Sequence, residues 1–211
     1  MFALGALLFL VSDSMAANGD ITYGHVIIPA NGGRPAVTIS ANYENWTNIY
    51  GGEPYFGWGV ETSNGTKVPY KNLVSSDFTA AQADQYSDAF ESVTGSPSAS
   101  QRAGQASLKY NCFAYATGNT GYWVSELEPF VEEGDWSPAS NPFDPSGQNR
   151  AGHTAEGAPE LWDHASKVAT ESGCGTTFYY CKGKWGIQAV YSTSPSFVEQ
   201  YFATDSYYYS G

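Results

Sequence analysis

The segment Tyr110-Asn111-Cys112-Phe113-Ala114-Tyr115-Ala116, closed by Thr117-Gly118, decides how the rest of the chain is read. It is a compact apolar run with a good N-cap residue at its start and a glycine where it stops, and this predicts a short helix beginning near Asn111 and ending at Gly118. The first turn of such a helix sets unpaired backbone N–H groups and the positive end of the peptide dipoles beside Cys112, an environment that favours thiolate over thiol.

Upstream the pattern is different. Val37, Ile39, Ala41 and Tyr43 alternate with Thr38, Ser40 and Asn42, the period-two signature of a half-buried strand. Gly51-Gly52, the 57–60 stretch and Asn64-Gly65 between Val60 and Val68 read as turn, strand, hairpin turn and strand. Residues of about 20 to 74 are therefore expected to form a small antiparallel β-layer. Thr79 with Gln82 makes a capping box, and Tyr86, Phe90 and Val93 recur at helical spacing before Gly95, which predicts a helix over 80–93. Residues 96–101 (SPSASQ) read as a linker.

Downstream, the acidic stretch 126–135 and the Pro, Asn and Ser-rich 137–149 read as a long surface loop or lid with no regular element, and 151–154 as a Gly-rich loop. Residues 159–172 admit a helix, with Leu161, Ala165, Val168 and Ala169 on one face, or a strand, since 164–171 also alternates. The strand is preferred, because 176–182 and 187–192 follow it as further strands. The tail 197–209 is apolar enough to pack back on the domain.

Composition narrows the functional classes. The chain has 211 residues with 9 basic and 21 acidic groups, a formal charge of 9 − 21 = −12, and 42% hydrophobic residues, enough for a core. Nine scattered Lys and Arg make nucleic acid a poor partner, and the charge suits a basic ligand better. Residues 2–11 (FALGALLFLV), followed by small residues to Ala17, suit a secretory signal peptide over 1–17 and are too short to span a bilayer, so a secreted mature chain without a membrane span is expected. The sequons at Asn45 and Asn64 are compatible with export. Cys174 and Cys181 are close enough in sequence to clasp a hairpin as a disulfide, which leaves Cys112 over. No metal site is expected from His25, His153 and His164, which form no ligand spacing with the cysteines, and no cofactor is called for.

Asn111-Cys112-Phe113-Ala114-Tyr115-Ala116, then Asp163-His164-Ala165-Ser166-Lys167-Val168, then Gly183-Lys184-Trp185-Gly186 ahead of Val190-Tyr191, resembles the papain-like cysteine hydrolases of bacterial type, the superfamily of CHAP amidases and cell-wall endopeptidases. The resemblance covers about residues 105–195. It implies an α+β fold with a papain-like core, the cysteine on a short helix packed on an antiparallel sheet, here over 101–211 and preceded by the β-rich region 18–100. It also implies that Cys112 is the nucleophile and His164, opening a strand, the general base. The position that would orient His164 is not matched by a clear Asn, Asp, Glu or His in 176–182. Gln188, Glu171 or a backbone carbonyl are the candidates, and His153 is the rival base. Tyr122, Trp123, Trp136 and Trp162 are candidates to line a substrate groove, or else belong to the core.

Two functional classes follow. One is a secreted thiol hydrolase of an amide or peptide bond, with a peptide or peptidoglycan-like substrate, for which the acidic 126–135 stretch attracts amine-bearing groups. The other is a non-catalytic extracellular protein used for adhesion, structure or filament formation by self-assembly, in which Cys112 is a small buried hydrophobe.

Overall fold

The structure, a computed structural model, describes residues 19–46, 59–94, 102–133, 135–138, 149–154, 164–169, 180–184, 190–193 and 205–210. The expected signal peptide over 1–17, the linker at 96–101, and the sites at Trp162, Glu171, Cys174 and Gln188 lie outside these residues.

The N-terminal β-layer forms as the alternation predicts. Strands β1 (Ile21–Ile28) and β2 (Val37–Trp46) pair antiparallel from Ile21↔Glu44 to Ile28↔Val37. Gly24, Val26 and Ile28 of β1 and Ile39, Ala41, Tyr43 and Asn45 of β2 point inward. Their connection closes on Gly32-Gly33, both at positive φ, between Asn31 and Arg34, whose backbones bond each other in both directions at 2.9 and 3.0 Å. Two successive residues at positive φ are what a type I′ hairpin turn requires, and glycine adopts them without strain. Strand β3 (Tyr70–Ser76) extends the sheet, with a bulge opposite Asn42/Tyr43. The hairpin turn at Asn64-Gly65 is present, with Gly65 at φ +85°, but its flanks make one isolated bridge, Glu61↔Lys67, where full strands were expected.

Helix α1 (Ala80–Thr94) opens on the predicted capping box: the Thr79 backbone N–H donates to Gln82 Oε1 at 2.7 Å, and the Gln82 N–H donates to Thr79 Oγ1 at 3.3 Å. Its buried Gln85 donates from Nε2 to the carbonyls of Pro29 and Pro35, both at 2.9 Å, and so grips the neck of the β1–β2 hairpin. Ala83 and Tyr86 join Val26, Ile28, Ile39, Ala41, Tyr43, Ala106 and Leu108 in one core.

The second sheet has the order β4-β10-β9-β8-β7-β11-β6, antiparallel throughout, from β4 (Arg102–Ala103), β6 (Ser137–Pro138), β7 (Asn149–Thr154), β8 (His164–Ala169), β9 (Tyr180–Lys184), β10 (Val190–Thr193) and β11 (Asp205–Ser210). The strand reading of 159–172 holds in β8, and the tail packs back as β11, between β7 and β6. Residues 151–154, expected as loop, are strand: β7 is ordered by partners on both sides, β8 and β11, which override the low strand propensity of an Ala-Gly pair.

The expectation that 126–135 is loop is also corrected. Helix α3 (Glu128–Glu132) occupies it, with Leu127 and Phe130 buried. Leu127, Phe130 and Val131 recur at i, i+3 and i+4, and Pro129 sits in the first turn, a short amphipathic signal hidden among acidic residues. Together with Trp136, these side chains complete a core made from Val60, Val68, Tyr70, Ala114, Ala116, Val124 and Ala165. Strand β5 (Trp123–Val124) pairs with β3, so the four-stranded sheet runs β1-β2-β3-β5. Both cores therefore take side chains from either side of residue 100. The architecture is α+β. Among the described residues no helix is long and apolar enough to cross a membrane.

Helix α1 is also stitched to the second sheet. Arg102 of β4 lies 3.3 Å from Glu91 and 3.6 Å from Asp88, and Tyr191 of β10 donates its hydroxyl to Glu91 at 2.9 Å while its ring packs 5.4 Å from Phe90. Burial and the bond to Glu91 push the Tyr191 hydroxyl far up from its ordinary value, so it acts here as a hydrogen-bond donor over the whole working pH range.

Candidate active site

Helix α2 (Cys112–Thr117) forms where the apolar run predicts it. Its N-cap Asn111 is extended and buried, and one side chain does two jobs. Oδ1 accepts from the Ala114 N–H at 3.1 Å and from the Val124 N–H at 3.3 Å, while Nδ2 donates to the Val124 carbonyl at 2.6 Å. The amide therefore caps the helix and pins its first turn to β5. The Tyr115 N–H bonds the Asn111 carbonyl at 3.0 Å, which leaves the N–H groups of Cys112 and Phe113 outside the helix's own ladder. Gly118, at φ +86°, closes the other end.

Two cations hold that other end. Arg150 Nε donates to the Ala116 carbonyl at 2.6 Å, and Lys167 Nζ lies 4.9 Å from the centre of the Tyr115 ring. Arg150 and Lys167 stand opposite each other in the β7–β8 register, so both strands reach the C-terminal end of α2, where positive charge complements the helix dipole and satisfies an orphan carbonyl. Burial lowers Arg150 from its ordinary value, opposed by Tyr115, and burial raises Tyr115. Helix α2 packs on β8, the strand that His164 opens. Ala114, Ala116 and Ala165 are fully buried, and small side chains of this kind let helix and strand approach closely.

Cys112 is a thiol, not half of a disulfide, with 8% of its surface exposed, and His164 is 1% exposed. The structure thus brings the two elements that carry the predicted pair together. His153 occupies the β7 position directly opposite His164. His25 is exposed on β1, in the four-stranded sheet that does not contain His164. Of the predicted disulfide, Cys181 lies on β9 and Cys174 is outside the described residues, as are the orienting candidates Gln188 and Glu171. Among the described residues no three of His, Cys, Asp and Glu gather to hold a metal ion.

The aromatics divide. Trp136 is core. Tyr122 tilts on Tyr70 at 4.7 Å, in a row continued by Trp46, whose ring is 6.2 Å from Tyr70, and Trp123 meets Tyr43 edge-on at 6.4 Å. Tyr122 and Trp123 are half-buried, each with one side against a different core. Arg150, Lys167 and the second role of Asn111 escape sequence reading, because nothing local tells a cation or an amide which distant backbone group it will meet.

Two predictions belong to this site. Asn111→Ala removes a cap and leaves both backbone groups of buried Val124 without their side-chain partner, so it is expected to cost about 2–3 kcal/mol of stability, read as a lower denaturant midpoint at unchanged m-value. Glu126, two residues past Val124, has its carboxyl raised above the ordinary value by burial first and by Glu128 and Glu132 next. The folded state then holds its proton more tightly than the unfolded chain, so folding loses stability as pH rises from the ordinary carboxyl range through the raised value. Glu126→Gln is expected to raise the melting temperature at neutral pH and to leave it unchanged well below the ordinary carboxyl range.

Compared with family models, with curated proteins and with solved structures, the chain matches none of them.

Proposed function

We propose that this chain is a secreted cysteine hydrolase with a papain-like core, cleaving an amide or peptide bond through Cys112 and His164. The observation that carries the reading is the pairing of elements: a capped helix that opens on buried Cys112, packed on a strand that opens on buried His164. In this reaction His164 takes the thiol proton as Sγ attacks the carbonyl carbon. The C–N bond then breaks, the proton passes to the leaving amine, and a thioester remains. Water, deprotonated by His164, resolves it to a carboxylic acid and restores the thiol. In this reading, backbone N–H groups at the start of α2 stabilise the developing oxyanion. A net charge of −12 favours substrates with amino groups, such as the peptide cross-links of cell-wall peptidoglycan.

Alkylation of the folded, unreduced chain across pH, with the modified site mapped by mass spectrometry, tests the pair. Cys112 is expected to react quickly below neutral pH and more slowly in His164→Ala. Protection of Cys112 until denaturation would overturn the mechanism.

A second reading, an extracellular protein built for assembly, is favoured by one observation: Ile21, Tyr23, Ile27 and Val74 are exposed on the four-stranded sheet.

A further inference from the structure

Among the described residues, the sheet β1-β2-β3-β5 ends on one side in the two-residue strand β5 and on the other in the eight-residue strand β1. A short edge strand is a protected edge; a long one presents a row of backbone donors and acceptors. Edges are ordinarily blunted with lysine, proline or inward charges, and β1 has none of them. Its outward residues are Ile21, Tyr23, His25 and Ile27, and the three hydrophobic ones are 44%, 70% and 59% exposed. From Ile21 to Gly33 there is no Asp, Glu, Lys or Arg, in a chain of net charge −12.

We propose that β1 is a homodimer interface, pairing antiparallel with β1 of a second copy to join two four-stranded sheets into one. The charge pattern selects the occupant. Two molecules of the same strong negative charge repel wherever acidic surface meets acidic surface, so self-association is confined to a surface without charge, and β1 with its following turn is such a surface. A strand edge is also self-complementary: a two-fold axis through it turns each donor toward an acceptor of the partner, so no second surface has to be matched. Centring that axis near Gly24 keeps outward residues beside outward residues and sets Ile21 of one copy against Ile27 of the other, an apolar cross-strand pair. This inference is independent of the Cys112–His164 reading.

The test is the mass of the full chain by light scattering and sedimentation across a micromolar to submillimolar series. The expected result is a concentration-dependent dimer whose dissociation constant rises by about a hundredfold or more in Tyr23→Lys/Ile27→Lys, since lysine blunts an edge, and by less than about threefold in Thr38→Lys, an exposed position one strand in from the edge. Circular dichroism checks that the variants keep the fold, and Ile21→Glu serves as a second edge variant. A parent that is monomeric throughout, or a dimer indifferent to the edge variants, overturns the proposal.

Discussion

Cys112→Ala is expected to slow amide hydrolysis by at least three orders of magnitude, measured as amine released from soluble peptidoglycan fragments or cross-linked peptides. The size follows from the role. Without the sulfur there is no covalent intermediate, and what remains is whatever the binding site and backbone donors contribute on their own. His164→Ala is expected to cost nearly as much alone, and the double variant little more, because nucleophile and base act as one unit and their losses do not add. Both variants should fold: Cys112→Ala removes one buried sulfur from a helix that already carries Ala114 and Ala116, and the cap at Asn111 is untouched. His164 is 1% exposed, so His164→Gln, which preserves polarity and approximate volume, is the companion that separates lost chemistry from lost packing. A Cys112→Ala protein as fast as the parent would end the hydrolase reading and leave the assembly reading standing.

Phe130→Ala is expected to destabilise the chain by about 3–5 kcal/mol, the usual cost of emptying an aromatic site in a core that cannot collapse around it. Phe130 projects from α3 into the cluster that also holds Val124, Leu127, Trp136 and Ala165. The same cluster backs α2, so the loss should be felt at the candidate site as well. The α3 segment is further fastened from outside: the Ser63 backbone and hydroxyl donate to Asp135, and Asn64 Nδ2 donates to the Glu133 carbonyl at 2.9 Å. Chemical denaturation reads the effect as a shift in midpoint, with exposed Glu132→Ala as the control expected to stay within about 0.5 kcal/mol. If 126–135 were the solvated loop its composition suggests, Phe130→Ala would be as mild as that control.

The elements legible in the residues share a cause. The alternation of Val37 to Tyr43 marks a strand because one face is core and the other is water, and the Thr79/Gln82 box marks a helix start because its two hydrogen bonds span three residues. Asn111 and Gly118 delimit α2 for the same local reason. Helix α3 was hidden because five residues are too few for a periodicity to stand out among the five acidic residues from Glu126 to Asp135. Strand β7 was hidden because Ala151-Gly152 carries no strand preference and takes its conformation from β8 and β11.

By itself, then, the sequence determined the caps of α1 and α2, the hairpin turn at Asn64-Gly65, the inward face of β2, the helical start that presents Cys112, and the strand that carries His164. These depend on hydrogen bonds and side-chain periods spanning a few residues, which composition and spacing record. Only the tertiary structure decided that α2 packs on β8, that Asn111 ties it to β5, that Arg150 and Lys167 meet its far end, that α3 plugs the core, and that β1 is left as a long uncharged edge. Each of those is a choice among distant partners, settled by which apolar surfaces can be buried together and which backbone groups must be satisfied once they are.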